Sequence, residues 1–196
     1  MSERNTILRS VHDLGMAAWF GGSLMGAVGL NGAARSQGST AAETDRIASD
    51  GWAKWLPVNA AAIGAHLIGG TGLLAANAAR VQTQQGVAAS TLAKTVLTGA
   101  ALAATAYCRV LGKKLELSVS DDPRDLEKAA AHPVDLDRAR THLTLMQWTV
   151  PALTGAIVVL NALHGEQQRP LQQQTGMLRR ATSQVHAQLP PFIHHC

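Results

Sequence analysis

Cysteine is nearly absent: Cys108 and Cys196 are the only two, and residues so far apart in the chain offer no disulfide framework. Charge is scarce as well, with charged side chains making up 15% of the 196 residues. Also missing are a glycine-rich phosphate loop, a carboxylate pair inside an apolar stretch, and a nucleophile with a recognisable partner. Their absence argues against a conventional enzyme. No nucleic-acid motif and no basic patch interleaved with aromatics is present, so nucleic acid is not an expected partner.

What the chain does have is an uneven distribution of charge. Between Asp13 and Arg35 the run LGMAAWFGGSLMGAVGLNGAA carries none, and a helix of about 20 apolar residues crosses a hydrocarbon core. From Leu56 the run LPVNAAAIGAHLIGGTGLLAANAA has only His66 as an ionisable group, with Pro57 suited to a first helical turn. A third run, around residues 88–111, is bounded by Lys94 and Arg109, leaving TVLTGAALAATAYC uncharged between them, so both bases must snorkel to opposite surfaces. A fourth, LTLMQWTVPALTGAIVVLNAL, begins at Leu143 and is uncharged throughout.

These runs predict an all-α, four-helix transmembrane bundle, up-down-up-down, with spans near residues 13–34, 57–79, 88–111 and 143–164 and both termini on one side. Residues 1–165 form the membrane domain and 166–196 a polar tail. A soluble bundle would place polar residues every three or four positions on a water-facing side, and these segments are apolar or small all round. A cleaved signal peptide would have an apolar region of only about 7 to 15 residues, shorter than the first run.

Small residues recur at four-residue spacing, which lets membrane helices approach closely. Ala18, Gly22 and Gly26 form one such stripe and Ala61, Ala65 and Gly69 another, which predicts packing of the first helix on the second. Pro151 predicts a kink in the fourth, with Thr149 or Thr154 able to bond the freed carbonyl. The loops between spans one and two, and three and four, hold ten of the 17 Lys and Arg residues, whereas the terminal side is the one with net positive charge. Weighting the flanks of the first helix places both termini in the cytoplasm, and the basic balance suits anionic lipid headgroups.

The loop after Arg35 contains a capping pattern, Thr40 with Glu43 three residues on, and Trp52 and Trp55 read as interfacial anchors. The loop after Gly112 reads as solvated helical turns interrupted at Pro123 and Pro133. In the tail, an amphipathic helix over residues 171–189 ends at Pro190 and Pro191.

Ionisable residues at membrane depth are candidates for function, which singles out His12, His66 and His164. His12 opens the first helix and His164 closes the fourth on the same side, where they could together hold haem b. Counted from that side His66 is roughly 20 Å deeper at 1.5 Å per residue, too far to share a metal with them. The alternative is that His12 and His164 are interfacial and His66 bonds a neighbouring carbonyl. Asn59, Asn77, Asn161 and Gln147 are expected in interhelical hydrogen bonds of about 0.6 kcal/mol each. Cys108 reads as a packed thiol, and His194, His195 and Cys196 have no defined spacing partner.

At VHDLGMAAWFGGSLMGAVGLNGAAR, PVNAAAIGAHLIGGTGLL and PALTGAIVVLNALHGEQQRP the chain resembles a group of uncharacterised small membrane proteins from actinobacteria, over about residues 5–170. The order His12, Leu14, Trp19, Gly21, Gly22 is similar to the first helix of the copper-resistance D type membrane proteins. That second likeness implies a metal or haem role for His12, although no methionine-rich copper motif follows; the first implies a fold and a compartment without an activity. Together these features lead to the expectation of a plasma-membrane protein, a structural or accessory component in contact with the lipid bilayer, as a homo-oligomer or within a larger membrane complex, and with no cofactor. The rivals are a haem- or metal-binding redox protein using His12 and His164, and a small-solute transporter with His66 in its path.

Overall fold

A computed structural model describes the backbone of residues 5–78 and 85–188, with side chains over 5–78 and 88–163. All regular structure among the described residues is helical: α1 (Thr6–Met25), a π turn (Gly26–Leu30), α2 (Asn31–Gln37), α3 (Ala41–Ala76), α4 (Gln85–Ser118), α5 (Pro123–Ala131) and α6 (Leu136–Gln188). Two compact units are present, Met1–Val158 and Val159–Cys196. The packing below belongs to the first. In the second, the backbone is helical through Gln188; the side chains of residues 164–196, His164, His194, His195 and Cys196 among them, lie outside the described residues.

Three helical segments are long and apolar enough to cross a membrane: Ala41–Ala76, Ala88–Ser118 and Leu136–Leu163. Only 17%, 17% and 22% of their most apolar windows are buried, and Ile68, Val96, Val110, Leu145 and Trp148 all project outward. So large an outward-facing apolar surface suits lipid rather than water. The interrupted third run is therefore one of the three, while α1 is not. Its α-helical stretch of 20 residues takes in Arg9 and Asp13 and ends at the π turn.

The helices overrun the predicted loops. Only Gly38, Ser39 and Thr40 separate α2 from α3, because Thr40 caps α3 by accepting from the Glu43 amide at 3.2 Å, and Glu43 in turn accepts from the Ser39 amide at 2.9 Å. From there α3 is unbroken to Ala76, so Pro57 stands inside the helix rather than opening it, and Trp52 and Trp55 are helical residues, not loop anchors. Proline costs a helix the bond to the carbonyl four residues back, here that of Ala53, which is exposed. Pro123 opens α5 as its first residue, behind Asp122, which accepts from the Arg124 amide at 2.9 Å. In α5 a hydrogen bond from Lys128 holds the Asp125 carboxyl below its usual range. Around Pro151, Thr154 bonds the Val150 carbonyl at 2.8 Å and Thr149 that of Leu145 at 2.9 Å. Neither bonds the Gln147 carbonyl that the proline frees, because a helical threonine folds back on its own preceding turn.

The core of this unit draws on four helices: Met16 and Trp19 from α1, Ala62 from α3, Ala101 and Ala104 from α4, Val150 and Ile157 from α6. A second cluster, Leu111 and Leu115 with Ala139, joins α4 to α6.

α1 and α3 run antiparallel, and side-chain size alternates across their seam. On α3 the facing residues are Trp52, Trp55, Asn59, Ala62, His66 and Gly69, at the three-four spacing of a helix stripe. Opposite them, the Trp52 ring lies against Gly26, the Trp55 ring against Gly22, His12 against Gly69, and the Ala62 carbonyl and His66 amide against Gly15. A β-carbon on Gly15 would meet those two backbone atoms at 2.5 Å. The seam therefore alternates a large side chain with a glycine that receives it. Gly22, Gly26 and Gly69 lie on this seam, whereas Ala61 is exposed and Ala62, one residue on, is buried in its place.

Candidate functional site

Between α1, α3, α4 and α6 a cavity of about 300 Å³ is partly open to the outside. Three of the four tryptophans line it: Trp19, Trp52 and Trp55. Trp52 is hydrogen-bonded into the wall, its Nε1 donating to Asn31 Oδ1 at 3.0 Å while Asn31 Nδ2 donates to Gln147 Oε1 at 2.8 Å. This short chain ties α3, α2 and α6 together. The π turn just before Asn31 is the kind of local widening that membrane and enzyme helices place beside functional sites.

Four buried side-chain atoms among the described residues have no hydrogen-bond partner: Trp19 Nε1, Trp55 Nε1, Asn59 Oδ1 and Thr105 Oγ1. All four residues line this one cavity. Asn59 stands one turn from Trp55 on α3, so both face the same way, and Trp19 and Thr105 bring in α1 and α4. An unsatisfied buried polar group costs about 1 to 3 kcal/mol, and native folds tolerate few. Four on one cavity mark a place where a partner is expected.

Four of the five charged residues that line the cavity are ion-paired with one another. Arg140 bonds Asp45 at 2.8 Å. Arg109 lies 3.6 Å from Glu116, which Lys113 also meets at 2.6 Å. Arg35 has no ion pair among the described residues. Because Arg109 reaches onward along α4 to Glu116, its guanidinium leads away from Thr105, one turn before it.

The structure changes the relation of His12 to His66, while the pairing of His12 with His164 falls outside the described residues. His12 and His66 are not a helix length apart: their rings stack at 4.1 Å between centroids and 26° between planes. His12 Nδ1 donates to the His66 carbonyl at 2.9 Å and His66 Nδ1 to the His12 carbonyl at 3.3 Å, a reciprocal clasp across the α1–α3 seam. The expected 20 Å offset fails from both ends: α1 starts at Thr6, six residues before His12, and α3 ends at Ala76, ten residues after His66, so both histidines lie well inside their helices. Face-to-face rings leave no room for an ion held between them as an axial pair. Among the described residues no group of three His, Cys, Asp or Glu is placed to hold a metal. Trp19 stands between this pair and the cavity, its ring tilted against His66 at 6.1 Å.

Of the amides expected to bond between helices, Gln147 does. Asn77 instead bonds the Leu73 carbonyl of its own helix at 2.8 Å, and Asn59 is unpartnered. Cys108 lines the cavity as a free thiol. The residues that sequence reasoning missed are Trp19, Trp55, Asn59 and Thr105. Their one visible signal was the Trp55–Asn59 spacing on the stripe that also carries Ala62 and His66.

No protein-family model matches the chain, and neither a curated protein nor a solved structure matches it at a significant level.

Proposed function

We propose that this is a multi-pass protein of the plasma membrane whose four long helices cross the bilayer up-down-up-down, and that it serves a membrane system as an accessory component that holds a small solute in the tryptophan-lined cavity. The outward apolar surfaces of α3, α4 and α6 support the membrane setting, and α1, closely seated on α3, is the fourth span. On this reading both termini face the cytoplasm, so reporter fusions at each end will respond alike to a membrane-impermeant reagent added to intact cells. Opposite responses from the two ends would dismiss the four-span arrangement.

The observation that carries the solute-binding reading is the convergence of four unpartnered polar atoms on one cavity. A fold that used the space only for packing would gain by making those positions apolar. A site kept for a ligand leaves them unsatisfied in the empty state, because function and stability pull apart there. Thr105→Val keeps the shape of the side chain and removes the hydroxyl, so it will stabilise the empty protein by about 1 kcal/mol, read as a higher midpoint of thermal unfolding in detergent. A lower midpoint would mean that the hydroxyl already has a partner, and the reading would lose its basis.

A further inference from the structure

Resting on the solute-binding reading, we propose that the cavity takes an uncharged, planar molecule of about two fused rings, bearing a carbonyl and an N–H or O–H. Each term comes from the wall. An indole N–H can only donate, so the unpartnered Nε1 atoms of Trp19 and Trp55 call for an acceptor on the ligand, which a carbonyl supplies with two lone pairs. Asn59 Oδ1 accepts and calls for a donor. Thr105 can take either role.

The charge follows from what is absent at that level. The unpartnered groups are all neutral, while four of the cavity's five charged residues are ion-paired, Asp45 with Arg140 and Glu116 with Arg109, and the fifth, Arg35, stands sixteen residues along the chain from Trp19, beyond the π turn. A carboxylate brought down to the indoles would lose its hydration with no cation at that level to replace it. A neutral carbonyl needs only the two donors already there. Flatness and size follow from the walls, since the partly exposed indoles of Trp52 and Trp55 line the space and about 300 Å³ lies at the lower end of small-molecule sites. A ligand without polar atoms would leave all four groups as orphaned as they are when the cavity is empty.

The test uses the full-length protein in lipid nanodiscs, with protein-free nanodiscs subtracted, and three probes of similar outline: 4-quinolone, which carries a carbonyl and a ring N–H; naphthalene, which carries neither; and 1-naphthoate, which is charged. Saturable 1:1 binding of 4-quinolone is expected by calorimetry, at least tenfold tighter than either of the others. Trp55→Phe keeps a ring in place and removes one donor, so it will weaken 4-quinolone binding about tenfold, the equivalent of one hydrogen bond, and leave naphthalene binding unchanged. If circular dichroism shows that variant misfolded, Thr105→Val supplies the same comparison. Equal or tighter binding of 1-naphthoate would overturn the neutral class, and equal binding of naphthalene would show that the polar layer is not read; in both cases solute binding itself would survive. If none of the three binds, the inference is overturned. The solute-binding reading then falls with it only if Thr105→Val also fails to stabilise the protein.

Discussion

Gly15→Leu will separate α1 from α3 and lower the stability of the bundle by about 3 kcal/mol or more, at the upper end of what overpacking costs. The reason is the nature of the neighbours. A β-carbon at position 15 would stand 2.5 Å from the Ala62 carbonyl oxygen and from the His66 amide nitrogen, and backbone atoms cannot rotate aside as a side chain can. Two helices have to part, and the reciprocal histidine clasp three residues away on α1 parts with them. Gly21→Leu on the same helix is the matched control. A β-carbon there meets nothing within 4 Å, the position is exposed, and the change will stay within about 0.5 kcal/mol. Thermal unfolding of both variants in one detergent reads the difference. If both were tolerated alike, the close α1–α3 approach would not exist in solution.

The same seam shows what the sequence disclosed and what it withheld. Runs poor in charge located the three apolar helices, because lipid disfavours charge along a span. Helix ends were harder to read. Between Thr40 and Trp55 the residues are polar enough to pass for a loop, and Pro57 offered a plausible helix start, but a good cap at Thr40 and a run of ordinary helix formers carried α3 past both signals. That one misplaced start turned Trp52 and Trp55 into supposed surface anchors and hid the stripe from Trp52 to Gly69. Misplacing the ends of α1 and α3 had the same kind of consequence: it set His12 and His66 about 20 Å apart by the rise per residue, whereas their rings touch. The cavity was not legible at all. Its four unpartnered atoms come from three helices, and nothing in a single sequence tells which residues of different helices share a level until the pairing of α1 with α3 is known.

Trp19 offers the sharpest separation of packing from binding. Its side chain is completely buried; it belongs to the core cluster with Met16 and Ala62, its ring meets His66, it lines the cavity, and its indole nitrogen has no partner. Trp19→Ala will cost about 3 to 5 kcal/mol, the usual range for removing a large buried aromatic. Trp19→Phe is expected to behave quite differently. It retains most of the apolar ring while removing an N–H whose unpaired burial costs about 1 to 3 kcal/mol, so loss of packing and relief of the orphan offset each other and the empty protein will unfold within about 1 kcal/mol of the parent. The phenylalanine variant will nonetheless bind a carbonyl ligand less tightly, because a donor has gone from the wall. Near-native stability with weakened binding places the indole N–H at a ligand site. A Trp19→Phe variant as unstable as Trp19→Ala would instead show that the nitrogen is bonded in the folded protein, and that this cavity is a packing defect.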